Sequence, residues 1–209
     1  MPGERRYGMD HGNYDWSPIS RREVLKWPEE ARIALCVIVN LEHAEWMVPD
    51  GAYQMPTLSG GLTPRPFPDY ARFSHREYGH RVGIFRIMDS LHRNGVRVTV
   101  AMDSLTAYNY PYLVRYCLDR ECEIVAHGVS VSRMITSKMS EEEEVAHIQD
   151  SIKSLKDTTH KIPMGWFGPE YGESTRTLEI LASAGIRYVF DWVNDEQPYW
   201  MNTEKGNLL

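Results

Sequence analysis

Residues 31–40 read Ala-Arg-Ile-Ala-Leu-Cys-Val-Ile-Val-Asn, a nearly continuous apolar run. It lacks the period-two alternation of a half-solvated strand. It therefore reads as a strand covered on both faces, as in parallel sheets. Cys36 within it reads as a buried thiol.

Outward from this strand the chain alternates. Residues 41–73 form a long connector with five prolines (Pro49, Pro56, Pro64, Pro66, Pro68) and the pair Gly60-Gly61, and no regular element is expected to dominate it. Long connectors in compact domains are usually functional. Ser74 and Glu77 have capping-box spacing, and Tyr78, Val82, Phe85, Met88 and Leu91 keep to one helical face up to the stop at Gly95. A strand over Val96–Met102 follows, then a helix opened by Asn109-Tyr110-Pro111, then a strand over Glu123–Ala126 ending at His127. Ser140 and Glu143 repeat the capping box, with Glu141–Glu144 read as a solvated helix start. Strand Pro163–Phe167, helix Ser174–Ala184 with its stop at Gly185, and strand Ile186–Phe190 complete a βαβαβαβαβ order. That order predicts an α/β fold with parallel strands. Residues 1–30 read as an N-terminal arm whose aromatics pack across a surface, and 31–209 as one domain.

The 209 residues carry a net charge of −6, with 42% hydrophobic and 25% charged residues. This balance argues against nucleic acid or an anionic membrane as partner. No apolar run approaches the ~18 residues of a membrane span, and the polar start lacks a secretory core. The three cysteines form no metal spacing. A cytoplasmic enzyme with a small-molecule substrate is the expectation.

Candidate chemistry falls at strand C-terminal ends, where parallel α/β folds collect their sites. Asn40-Leu41-Glu42-His43 offers a carboxylate that could be a general base, a metal ligand or a helix cap. Ala126-His127-Gly128 offers a histidine beside a glycine that permits close backbone approach, or a loop histidine bonded to a carbonyl. Asp103 ends another strand. Gly165-Trp166-Phe167-Gly168-Pro169-Glu170-Tyr171-Gly172 suits a rigid pocket wall. Asp191-Trp192-Val193-Asn194-Asp195-Glu196-Gln197-Pro198-Tyr199-Trp200 is rich in carboxylates and aromatics, with a surface turn as the plain alternative.

Taken in order, WPEEARIALCVIVNLE (27–42), EYGHRVGIFRIMDSLHRNGVRVTV (77–100), EIVAHG (123–128), GWFGPEYGES (165–174) and DWVNDEQPYW (191–200) resemble the polysaccharide deacetylase (NodB-homology) family, in its allantoinase-like and peptidoglycan-deacetylase-like branch. The resemblance implies a distorted, seven-stranded (β/α) barrel that hydrolyses non-peptide C–N bonds. It also implies a divalent metal, commonly zinc, held by Asp-His-His. Only five strands are read here, so the barrel is expected to be incomplete, with its C-terminal part missing. Strand Ile186–Phe190 is then expected to leave its outer edge unpaired and the chain to be marginally stable or a homo-oligomer.

The chain departs from the family pattern. Glu42 is the sole acid of the first motif, Val131 stands where a second histidine is usual, Glu170 follows Pro169 in a third motif that lacks its arginine, and a late histidine would fall beyond Leu209. The resemblance therefore implies Glu42, His127 and Asp195 as catalytic residues, with Trp166, Glu170, Tyr171 and Tyr199 around a carbohydrate or a small cyclic ureide or imide. His43 and His127 are the candidate histidine ligands for metal, beside the Glu42 carboxylate, and zinc is expected to bind weakly or not at all. An inactive binding or structural remnant is the alternative.

Overall fold

Parallel pairing starts at Val37, whose carbonyl accepts from Thr99 N–H at 3.0 Å, and from there five strands line up in chain order. They are β1 (Ile38–Leu41), β2 (Thr99–Met102), β3 (Glu123–Ala126), β4 (Gly165–Trp166) and β5 (Tyr188–Val189), all parallel. Leu41 lies opposite Met102, Met102 opposite Ala126, and Ala126 opposite Trp166. This register brings the residues after each strand to one edge. The structure is a computed structural model that describes residues 10–54 and 65–209. The connector positions Pro56, Gly60, Gly61 and Pro64 lie outside the described residues.

Between the strands run α1 (Tyr70–Tyr78), a π-helical turn Gly79–Gly83, α2 (Ile84–Arg93), α3 (Ser104–Asn109), α4 (Pro111–Leu118), α5 (Glu141–Thr159) and α6 (Thr177–Ser183). Alternation along the strands splits their side chains between two faces. Leu41, Val100, Met102, Ala126 and Trp166 pack under Ile84, Met88, Leu113, Val114, Ile148, Leu155 and Leu181 from the helices. Each such fully buried side chain contributes about 1.5–3 kcal/mol. The other face carries Ala101, Val125 and Phe167, flanked by Ile38, Tyr188 and Phe190. Among the described residues no helix is long and apolar enough to cross a membrane.

Several expectations need correction. The run 31–40 becomes a strand only from Ile38. Ile33 (80% exposed), Leu35 (78%) and Cys36 are exposed, so Cys36 is not a buried thiol. The run precedes the first pairing with β2, and no described layer covers it. The first helix begins at Tyr70, capped by Asp69, whose carboxylate accepts from Arg72 N–H at 3.1 Å. Ser74 sits inside that helix and bonds back to Ala71 C=O instead of capping. Of the expected stripe, Met88 is buried and Tyr78 is exposed, and Ile84, just after the π-helical turn, is buried beside Met88. Asp103 caps α3, a helix absent from the sequence reading. The capping box of Ser140 and Glu143 is present, but Glu144 of the same acidic run is wholly buried. It accepts from Ser174 Oγ (2.7 Å), Thr177 Oγ1 (2.5 Å) and Arg176 Nε (3.1 Å), pinning the segment after β4.

The outer edge of β5 is also not bare. Leu209 N–H donates to Arg187 C=O (2.9 Å), and its carbonyl accepts from Val189 N–H (2.8 Å). The arm packs on the segment after β5. Tyr14 meets Trp192 and Tyr199 edge-on, and Arg22 binds Asp195.

Candidate active site

β1 and β3 deliver the two central residues, 85 positions apart in sequence, to one point. Glu42 Oε1 lies 3.1 Å from His127 Nε2. The other His127 nitrogen, Nδ1, bonds Phe167 C=O across the sheet edge. Both ring nitrogens thus face oxygens, an arrangement that both N–H groups satisfy when Glu42 is ionised. Burial opposes that charge most strongly, but Glu42 and the Phe167 carbonyl outweigh it and raise the His127 pKa. Burial likewise opposes ionisation of Glu42. The His127 bond, the Arg76 charge and the Asn40 amide overcome it and hold the carboxyl down to about 2. Glu42 and His127 therefore form an ion pair, with the imidazolium wholly buried and the carboxylate reaching the cleft.

Arg76 on α1 is the residue that sequence reasoning missed. Its Nη2 lies 3.0 Å from Glu42 Oε2 and 3.9 Å from Glu170 Oε1. Arg76 thus brings a guanidinium to the side of Glu42 from α1, 3.9 Å from the third-motif residue Glu170. Arg72, one turn earlier, is buried and donates to Val131 C=O. Two arginines at i, i+4 on the helix face nearest the strand ends were the available signal. Glu42, Arg76, Asn40, His75 and His80 line a cleft of about 390 Å³ between β1 and the α1–α2 unit.

Asp103 at the end of β2 is fully buried and fixes the Glu42 loop. It accepts from His43 N–H (2.6 Å) and Thr106 N–H (2.7 Å), and burial pushes its carboxyl up to about 7. The His43 ring lies against Phe73 and Tyr110. Beyond β4, Phe167 packs against both His127 and Tyr171, which is 53% exposed, making one aromatic wall. The loop carrying Glu170 rests on a buried carboxyl pair. Asp191 accepts from Gly168 N–H (2.7 Å) and Glu173 from Trp192 Nε1 (3.1 Å). Burial pushes Asp191 well up and Glu173 to about 7. A side chain on Gly168 would strike Gly172 C=O at 2.9 Å, so this approach needs glycine.

The remaining candidates sit elsewhere. Trp166 has no exposed surface and belongs to the core under the helices, so it lines no pocket. Asp195 bonds Arg22 and the N–H groups of Glu196 and Gln197. Tyr199 bonds Asn194 and meets Tyr14 edge-on. Both hold the arm rather than reach Glu42.

The donors do not fit a divalent metal. Among the described residues no group of three or more His, Cys, Asp or Glu is placed to hold one. Val131 is core, the His43 ring is turned into aromatics, and both His127 nitrogens are engaged as donors. A zinc site needs at least three protein ligands with free lone pairs.

An open parallel α/β sheet with an acid–histidine–arginine cluster at its C-terminal edge defines the general class. The profile described as Polysaccharide deacetylase matches residues 77–189, more than half of the chain. The chain belongs to the polysaccharide deacetylase family. A Schizosaccharomyces pombe protein named "Putative polysaccharide deacetylase" is 26% identical over 188 residues, covering 84% of this chain and 58% of its own. The peptidoglycan deacetylase of Helicobacter pylori is 26% identical over 125 residues, 59% of this chain and 42% of its own. The crystal structure of PuuE allantoinase superposes with a TM-score of 0.72 at 24% identity, over 88% of this chain and 63% of that one. That likeness concerns the fold. The chain spans about three fifths of the length of the first two of these proteins' counterparts by sequence and structure, the yeast protein and the allantoinase. Glu42 and Arg76 precede the matched segment, so their roles rest on geometry alone.

Proposed function

We propose that the protein hydrolyses a non-peptide C–N bond, in an N-acetylated sugar or a small cyclic ureide or imide. The observation that carries this reading is Glu42, an ionised carboxylate on a cleft wall, backed by buried imidazolium and flanked by Arg76. In this reading the substrate carbonyl takes hydrogen bonds from Arg76, which stabilises the charge that develops on oxygen. Glu42 accepts the proton of the attacking water and passes it to the departing nitrogen. Drawing Arg76 toward the carbonyl weakens its hold on Glu42, so the carboxylate gains basicity when substrate is bound. His127 keeps Glu42 oriented and balances its charge. Tyr171 and Glu170 border the substrate. No step passes through a metal.

A second reading, a binding protein without turnover, is favoured by the tight clamping of Glu42 between two cations, since a base held near 2 is weak when unliganded. Incubating the full chain with N-acetylglucosamine oligomers and with cyclic ureides, with and without zinc, tests the choice. The hydrolase reading expects one substrate class to be cleaved without added zinc. Binding without cleavage of either class would leave the second reading.

A further inference from the structure

We propose that Cys117 and Cys122 form a peroxide-sensitive dithiol that closes to an intrachain disulfide. The pair lies where α4 turns into β3. Cys122 N–H donates to Cys117 C=O at 3.1 Å, and Glu121, between them, holds a left-handed φ of 56° that tightens the turn. A direct main-chain bond of this length brings the two Cα atoms into the span of disulfides, about 4.4–6.8 Å. The Cys122 side chain lies over the same turn, with its Sγ 4.0 Å from Arg120 C=O.

The two thiols differ in the way an attacking and a resolving thiol differ. Cys117 is fully buried in the core, whereas Cys122 is half-buried and lines an open cleft with Arg97, Arg120 and His92. The neighbouring Cys117 thiol, and after it the Arg120 charge, favours the Cys122 thiolate against its burial. A thiolate with solvent access beside a cation is the form that reacts with peroxide. Cys36, exposed but without a thiol neighbour among the described residues, is an internal comparison.

The chemistry balances with a hydroperoxide as oxidant. The Cys122 thiolate attacks the terminal peroxide oxygen, the O–O bond breaks, and the alcohol or water leaves as Cys122 becomes a sulfenic acid. The Cys117 sulfur then attacks the Cys122 sulfur. The S–S bond forms, the S–O bond breaks, and the hydroxide leaves as water with the Cys117 proton. Two thiols are oxidised and one peroxide is reduced. The pair precedes β3 while His127 follows it, so the change acts at the sheet edge opposite Glu42.

Treating the full chain with one equivalent of hydrogen peroxide, blocking free thiols and mapping tryptic peptides without reductant tests the proposal. Cleavage at Arg120 separates the cysteines, so the disulfide would link peptide Tyr116–Arg120 to Glu121–Arg133, with two hydrogens lost and recovery by dithiothreitol. Cys117→Ala should instead leave a sulfenic acid at Cys122 that a 1,3-diketone traps, and Cys122→Ser should leave Cys117 reduced. In the wild-type chain, oxidation of Cys36 with Cys117 and Cys122 both still blocked as free thiols would overturn the proposal. So would a sulfenic acid that persists at Cys122 without linkage.

Discussion

Glu42 Oε2 meets Arg76 and Oε1 meets His127 and Asn40, so the carboxylate carries the electrostatics of the whole site. Its folded pKa, about 2, lies below its ordinary 4.5. The sign follows from linkage. Stability from this shift is complete above pH 4.5 and is lost as pH falls toward 2. His127 is shifted upward, so its share is present below its ordinary 6.5 and is lost as pH rises through the raised value. The two shifts describe largely one attraction and are counted once. Glu42→Gln should lower the unfolding free energy by about 3 kcal/mol at pH 6 and by less than about 1 kcal/mol at pH 2.5. Urea titrations at both pH values measure this, and an equal loss at both would refute the ion pair. Arg76→Met should reduce kcat about 10²-fold and move the acid limb of the pH profile upward, because the carboxylate loses one of its cations. Glu42 and His127 were legible in the sequence because each follows an apolar strand. Arg76 was not, since an arginine on an amphipathic helix looks like solvated surface until the helix docks. Trp166 misled because its strand alternation points it under the helices.

Elements were legible where a cap and a periodic stripe agreed. The capping box of Ser140 and Glu143 set the start of α5, and Pro111 set that of α4. The start of α1 was missed because Ser74 and Glu77 mimic a box one turn inside the helix, while Asp69 does the capping. Asp69→Ala should cost about 1 kcal/mol, and Ser74→Ala less than about 0.5 kcal/mol. Within the acidic run, sequence could not show which glutamate turns inward. Glu144→Ala should cost about 3–5 kcal/mol, since it removes a wholly buried carboxylate that pairs with Arg176 and accepts from the Ser174 and Thr177 hydroxyls after β4. Glu142→Ala should be neutral within about 0.5 kcal/mol. Thermal or chemical denaturation of the four variants checks these orderings, and equal costs for the two glutamates would contradict the burial assignment.

At the scale of the molecule, the order of five parallel strands was readable because each apolar run is separated by a helical stripe. What covers the sheet edges was not, because it depends on contacts between distant segments. Leu209 bonds the edge at β5, whereas Ile33 and Leu35, just before β1, stand exposed. The 209-residue chain is expected to associate through this segment, so light scattering should find a smaller species in an Ile33→Lys, Leu35→Lys variant than in the wild type, and equal sizes would rule this segment out as the contact. The same wide view bears on metal, since no third His, Cys, Asp or Glu among the described residues joins Glu42 and His127 to hold one. Elemental analysis should find well below one zinc per chain, and near-stoichiometric zinc would mean that His127 gives up its bond to Glu42 or Phe167. The central claim is that Glu42 is the base of a working C–N hydrolase. Its most direct test is the initial rate of hydrolysis of the preferred substrate by the wild-type chain and by Glu42→Gln at pH 7. The account predicts turnover by the wild type and a fall of about 10²–10⁴-fold in the variant, with substrate affinity largely kept. A variant as fast as the wild type would contradict it.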